Sequence, residues 1–298
     1  MDAPVPTITI VTPSFNQGRF IETTINSVIS QEGEFYIDYI VMDGGSTDGT
    51  VDILKKYDDL IASRGLLIKC NGVRFRWWSA RDNGQYDAIN RGFATSNGQI
   101  MGWINSDDMY LPGAFKTVAM VFERFPETNW VTANATRIDK NGLITDVETS
   151  ALFPRELVAK GVFNGRAAPF IQQESTFWRR SLWDQMDEKL RASYRYAADF
   201  DLWRRFAALT DLVKIRTQLG AFRNHCDQKT SDLSGYNQEV DSMVKVSLAD
   251  KISMKITKVL SKMYLLERVS LMHRSAVTVY YSHRENDWLL KRVRGRVL

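Results

Sequence analysis

Three short apolar runs, each broken off by a loop of acids and turn formers, constrain most strongly what this chain can fold into. The first, Thr7-Ile8-Thr9-Ile10-Val11-Thr12, stops at Pro13-Ser14-Phe15-Asn16-Gln17-Gly18. The second, Tyr36 to Met42, stops at Asp43-Gly44-Gly45-Ser46-Thr47-Asp48-Gly49. The third, Ile100-Met101-Gly102-Trp103-Ile104, runs into Asn105-Ser106-Asp107-Asp108. Runs this short, bounded by turn formers, read as buried strands. Between them apolar residues recur at spacings of three and four. Phe20, Ile21, Thr24, Ile25, Val28 and Ile29 predict one helix. Val51, Ile53, Leu54 and Tyr57 predict a second, with Ser46 or Thr47 placed to cap it, and Tyr86 to Ala94 a third. Leu66–Lys69 and Arg76–Ser79 read as weaker strands.

Alternating strands and helices predict an α/β fold: a mostly parallel sheet with right-handed crossovers, flanked by helices. In such a sheet the loops at Asp43, Asp82 and Asp107/Asp108 share the carboxyl edge, where open α/β sheets hold their ligands. Any one of these acids alone is more often a turn former or helix cap. Asp107 and Asp108 could also serve a helix starting near Pro112. A carboxylate at that edge suits a hard cation, Mg²⁺ or Mn²⁺, with diphosphate oxygens completing the shell.

After Leu111 the pattern changes. Trp130 to Asn134 reads as a strand, and Asn141-Gly142 as the turn of a hairpin joining Thr136–Asp139 to Leu143–Val147. Residues 151–170 look loop-rich. Ser175 to Trp178 is strand-like, and Arg180–Met186 and Asp199–Ala208 are helical. Charge then separates along the chain: residues 245–298 hold 12 Lys and Arg against 4 Asp and Glu, the remainder 27 against 31. Leu248, Ile252, Ile256, Val259, Met263 and Leu266 keep helical spacing beside Lys251, Lys255, Lys258 and Lys262. The expectation is a body over 1–235, whose first 110 or so residues read as a nucleotide-binding α/β unit, and a basic helical extension over 236–298. That helix would lie on an anionic membrane surface as a peripheral contact, or pack on the body or on a second subunit of a homo-oligomer.

Several classes are disfavoured. No G-x-x-x-x-G-K-[ST] or strand-linked G-x-G-x-x-G is present. The acidic-to-neutral body argues against nucleic acid as its ligand. No apolar run approaches ~18 residues, the first residues lack a signal peptide's basic start and apolar stretch, and Cys70 and Cys226 make no disulfide framework. A cytoplasmic protein is the expectation.

Four motifs narrow the reading. Thr12-Pro13-Ser14-Phe15-Asn16-Gln17-Gly18, Val41 to Thr50, Asp82 to Gly92, and Asn105-Ser106-Asp107-Asp108 occur in an order and spacing that resembles family 2 glycosyltransferases of the GT-A fold. Ser175 to Arg179 and Ala198 to Trp203 continue the likeness, which covers about residues 7–230. The resemblance implies inverting transfer of a sugar from a nucleoside-diphosphate sugar to a hydroxyl of a saccharide or lipid-linked acceptor, in making a surface polysaccharide, lipopolysaccharide or glycolipid. A UDP-sugar is the expected donor, with GDP and dTDP as alternatives. It implies that Pro13 and Phe15 hold the base, that Asp43 hydrogen-bonds it, and that Asp82 lies near base and ribose. Ser106 and Asp107 would meet the donor, Asp107 and His225 would bind Mn²⁺ or Mg²⁺, and Asp199 would be the general base. Asn105 stands where the family's first metal-motif acid would be, and Ala198 where a glutamate commonly precedes the base.

The chemistry is coherent. A departing diphosphate gathers negative charge that a divalent cation offsets, and the acceptor hydroxyl must lose a proton. Bland readings stand beside these: Asp199 as a helix N-cap, His225 as a packing residue, Trp178 as core rather than a sugar-stacking surface. His225 and Cys226 in series do not make a tetrahedral zinc site. Asp201 is read as a cap or ion-pair partner. Two other functions remain: a sugar-nucleotide-binding protein without turnover, and a nucleotidyltransferase, though the latter should carry Lys or Arg within Pro13–Gly18, which has neither.

Overall fold

The computed structural model describes residues 5–166, 168–226, 228, 233–244 and 274–295. The alternation read from the sequence is present: β1 (Thr7–Ser14), α1 (Ile21–Ile29), β2 (Gly33–Asp43), α2 (Thr50–Ala62), β3 (Cys70–Ser79), α3 (Gln85–Ala94) and β4 (Ile100–Trp103). β1 lies between β2 and β4 and is parallel to both, and β2 is parallel to β3. Side chains alternate along β1. Ile8 and Ile10 enter the core beneath α1, while Val11 joins the opposite core beneath α3. Gly92 lets α3 approach closely, because a Cβ there would sit 2.7 Å from Val11 Cγ1. Two local expectations are revised. Leu66–Lys69 is not a strand. The start of α2 is held not by Ser46 or Thr47 but by Asp48 Oδ1, which accepts from Thr50 N at 3.2 Å and Thr50 Oγ1 at 2.6 Å; the Ser46 hydroxyl is engaged by Asp43 instead.

The remaining elements are β5 (Met109–Tyr110), α4 (Ala114–Arg124), β6 (Trp130–Thr132), β7 (Ala135–Ile138), β8 (Ile144–Glu148), α5 (Arg155–Ala159), β9 (Phe177–Arg179), α6 (Arg180–Asp184), α7 (Ala198–Leu209), β10 (Leu212–Ile215), β11 (Gly220–Arg223), α8 (Leu233–Met243), β12 (Arg274–Ser282) and β13 (Asp287–Gly295). The main sheet has nine strands in the order β13-β12-β10-β6-β9-β4-β1-β2-β3, antiparallel only at β9 and β13. A second sheet, β5-β11-β7-β8, stands beside it. Because β9 runs against its neighbours, the residues that precede it lie at the same edge as the loops that follow β4 and β6.

The basic helical extension expected over 236–298 is corrected. Residues 233–243 are helical, but β12 and β13 form a hairpin, and β12 pairs parallel with β10 in the main sheet. The physical reason lies in Ser275-Ala276-Val277-Thr278-Val279-Tyr280, a β-branched run whose Val277 and Val279 are buried in the core. Asn286, at a φ of 51°, makes the turn. The density of Lys and Arg had masked that pattern. The Lys251–Lys262 stripe lies outside the described residues. Among the described residues no helix is long and apolar enough to cross a membrane.

Candidate active site

The strand order reverses direction at β1, with β2 on one side and β4 on the other. The loops that leave β1 and β4 therefore part and leave a crevice, as expected at such a switch point. A cavity of about 660 Å³ opens there, lined by Pro13, Phe15, Asp82, Ser106, Asp107 and Arg195 among others. Phe15 is 60% exposed, a ring presented to solvent rather than buried. Gly44 packs between it and Asp82: a Cβ there would lie 3.3 Å from the Phe15 ring and 3.1 Å from the Asp82 carboxylate. Asp82 keeps its own loop folded by accepting from Gly84 N at 2.9 Å.

Asp43 does not line this cavity. Its carboxylate is buried and accepts from Gly45 N at 3.1 Å, Ser46 N at 2.9 Å, Ser46 Oγ at 2.5 Å and Ser79 Oγ at 2.6 Å. It shapes the loop that Gly44 offers to the cavity.

The two adjacent acids after β4 have opposite roles. Asp108 points inward, accepting from Arg223 N at 2.8 Å and Asn105 Nδ2 at 3.2 Å, and burial pushes its carboxyl well above the usual range. Asp107 faces the cavity, and its Oδ2 is 3.0 Å from His225 Nε2. Pairing of β5 with β11 brings the residues after β11 against the loop after β4. Arg223 then locks the two together, its Nε donating to the Asp107 carbonyl at 2.6 Å. His225 is almost buried and does not line the cavity; its ring packs 4.7 Å from that of Phe20. Asn105 is held at both ends, its Oδ1 accepting from Gln85 Nε2 at 2.7 Å.

This donor set fits a divalent cation. Ligand bonds of about 2.1 Å at octahedral right angles put adjacent donor atoms about 3.0 Å apart, the separation observed between Asp107 and His225. Among the described residues no cluster of three His, Cys, Asp or Glu side chains stands ready to hold a metal. Two side chains would leave the rest of an octahedral shell to other donors.

A second cavity of about 430 Å³ adjoins the first, and the two share Gln85, Tyr86, Asn105, Arg195, Phe222 and Gln228. Its wall carries Trp103, Phe170, Tyr236, Glu174 and Asp199. Asp199 sits in the first turn of α7 but is not its N-cap; that position is Ala197. Loss of hydration in the cavity wall raises the Asp199 carboxyl to about 6, and the Glu239 charge adds to the rise. Glu174, in the short turn before β9, was missed in the sequence. It is buried, and desolvation raises its carboxyl to about 8. An acid placed directly before a strand, in the amide-rich stretch Gln172-Gln173-Glu174, was the only available signal. Asp201 is an ion-pair partner, bonded to Arg191 at 3.1 Å and Arg205 at 2.8 Å. Trp178 is fully buried among Trp103, Trp183 and Trp203, so it does not reach an acceptor sugar.

Residues 9–186 match the family model described as glycosyl transferase family 2. The chain belongs to that family. An uncharacterized glycosyltransferase of Mycobacterium tuberculosis is 32% identical over 105 residues, which are 35% of this chain and 35% of that protein. TuaG of Bacillus subtilis, named provisionally as a teichuronic acid biosynthesis glycosyltransferase, is 28% identical over 105 residues, 35% of this chain and 37% of its own length. The matched region thus spans about a third of these curated relatives. Among solved structures, residues 1–349 of Staphylococcus aureus TarS in complex with UDP-GlcNAc align with a TM-score of 0.58 at 15% identity, over 89% of this chain and 74% of that one. This likeness carries the mostly parallel α/β architecture of the family.

Proposed function

We propose that this family 2 chain is an inverting glycosyltransferase that moves a sugar from a UDP-sugar to an acceptor hydroxyl. One observation supports the reading above the others: two cavities share a wall, with Asp107, backed by His225, on the first and Asp199 on the second. A donor in the first and an acceptor in the second would meet at that wall. Phe15 offers the nucleobase a stacking face, with Pro13 and Asp82 beside it, and Asp43 acts through the loop it folds. Ser106 and Asp107 border the diphosphate. Asp107 and His225 would hold Mn²⁺ or Mg²⁺, which when bound supplies positive charge opposite the leaving diphosphate. Asp199 accepts the acceptor hydroxyl's proton, and a raised carboxyl suits that work because a base operates best with a pKa near the working pH. The solved TarS complex holds UDP-GlcNAc, which favours UDP as the donor's nucleotide. The name of the TuaG relative favours a surface polysaccharide as the product.

Incubating the chain with UDP-GlcNAc and Mn²⁺ and measuring UDP release as GlcNAc passes to water in the acceptor's place, beside thermal shifts with UDP-, GDP- and dTDP-sugars, tests the reading. Stabilisation by UDP-sugars that deepens with Mn²⁺ is expected. The absence of any nucleotide-sugar shift would sink it.

A further inference from the structure

One carboxylate behind the strap that borders both cavities makes contacts that the proposed reaction does not use. Glu239 lies on α8, which the sequence reading treated as part of an appendage. Its Oε1 accepts from Arg195 N at 2.7 Å, and its Oε2 accepts from Tyr196 N at 3.0 Å and Ala197 N at 2.9 Å. Three consecutive amides converge on one anion. They belong to the strap between α6 and α7, whose residues 192–195 wall the first cavity and whose Arg195 borders both. The strap then enters α7 at Ala198, one residue before Asp199. At the start of α7, Asp199 Oδ1 accepts from Phe200 N at 2.8 Å. From a different helix, Glu239 takes the amide of the N-cap residue Ala197 and those of the two residues before it, and the anion also sits favourably at the positive end of α7.

The rest of α8 keeps that carboxylate in place. Val240 is buried against Ala197 and Phe200. Tyr236, one turn earlier on the same face, lines the second cavity. Arg166 pairs with Asp241 at 2.6 Å. From the other side, α3 holds the same strap: Tyr86 Oη donates to the Tyr196 carbonyl at 2.9 Å, and Asn90 Nδ2 donates to the Leu190 carbonyl at 2.7 Å. The strap is thus latched between the helix that begins at the first cavity and the helix that closes the second.

We propose that Glu239 is a positioning residue, which fixes the strap between the cavities and thereby aims Asp199 at the acceptor. This rests on the glycosyltransferase reading above. Asp199 also faces Glu174 from the turn before β9, Tyr86 from α3, Tyr236 from α8, and Arg137 and Arg195 across the cavity. Among these, Glu239 adds a negative charge that holds the Asp199 proton, so the Asp199 titration reports on it.

The test uses the full chain carrying Glu239→Gln, which places an amide nitrogen against donors and removes the charge. Hydrogen exchange at Arg195, Tyr196 and Ala197 should quicken by about tenfold or more, the scale expected when a charged acceptor is lost. The Asp199 carboxyl midpoint, followed by NMR with Asp199→Asn to assign it, should move to lower pH. UDP release from UDP-GlcNAc should lose kcat more than it gains in KM. Glu239→Asp, which keeps the charge, should leave the midpoint closer to wild type, and it stands in if the glutamine variant does not fold. Asp241→Asn loosens α8 without touching the strap. The proposal is overturned if folded Glu239→Gln protein keeps wild-type exchange and midpoint, or if Asp241→Asn reproduces both changes. Wild-type protein that releases no UDP from UDP-GlcNAc would break the donor reading alone, since exchange and titration still decide the part played by Glu239.

Discussion

The two cavities are walled in different ways. Most of the first is made of loops that follow parallel strands, with Asp82 bonding Gly84 within its own loop and Asp43, behind the wall, bonding Gly45 and Ser46, while the strap at residues 192–195 closes one side. The second is made of residues far apart in the chain, Glu174, Arg195, Asp199 and Tyr236, brought together by an antiparallel strand, a latched strap and a late helix. The first displays an exposed ring, Phe15, while the second holds two carboxyls that desolvation raises. On the proposed reading, local folding would serve a donor with invariant parts, a base and a diphosphate, and tertiary placement an acceptor that can vary while the donor side stays fixed.

Mutations that act on one side alone test this division most directly. Asp199→Asn should remove transfer by about 10²- to 10⁴-fold, the usual worth of a positioned base, and leave UDP-GlcNAc binding by calorimetry unchanged. In the wild type the rate should rise with pH through a midpoint of about 6, because Asp199 must be ionised to accept a proton. Equal losses of binding and turnover in Asp199→Asn would mean that the two sides are not separable. Next in size, Asp107→Ala should cost about tenfold to a hundredfold in Mn²⁺-dependent UDP-GlcNAc affinity. Mn²⁺ should bind the wild type measurably only when UDP is present, since two side chains leave most of an octahedral shell to other donors. Tight Mn²⁺ binding by the nucleotide-free protein would overturn the shared-cation account.

The same division explains what could be read from the sequence. The alternation of β1 to β4 with their helices is legible because periodicity and turn chemistry are local signals, and so is the placing of Asp82 and Asp107 in loops at the sheet edge, while Phe15 stands out only through the family resemblance. Asp43 stood at the expected edge, but nothing in the sequence said that its oxygens would be consumed by its own loop. Asp107 and Asp108 are indistinguishable as neighbours in a string; which one faces the cavity is decided by Arg223, 115 residues further on. Glu174 was hidden because a strand's direction within a sheet is not written in its residues. Glu239 was hidden because its partners are backbone amides, which every residue has. The hairpin β12–β13 is hard to see in the sequence because its β-branched run, Val277-Thr278-Val279, lies within a segment dense in Lys and Arg.

Two smaller effects sharpen the contrast. Phe15→Ala should raise the KM for UDP-GlcNAc by about tenfold, the scale of one base–aromatic stack. It should leave thermal stability nearly unchanged, because a ring that is 60% exposed contributes little to the core. A fall in stability with no change in KM would show that Phe15 is packing and not a platform.

Glu174→Gln should do the reverse, altering stability in a way that depends on pH. The folded-state carboxyl is raised to about 8 from 4.5. Between those values the folded chain keeps a proton that the unfolded chain has released. Linkage then makes stability fall as pH rises through this window. Below about pH 4.5 the acid is protonated in both states and a glutamine is nearly its isostere, so the two proteins should melt together. As pH climbs towards 8 the wild type alone loses stability, and the variant's melting temperature should exceed it by a few degrees. A constant difference at pH 4.5 and pH 8.5 would mean that Glu174 is hydrated in solution and that burial does not hold its proton.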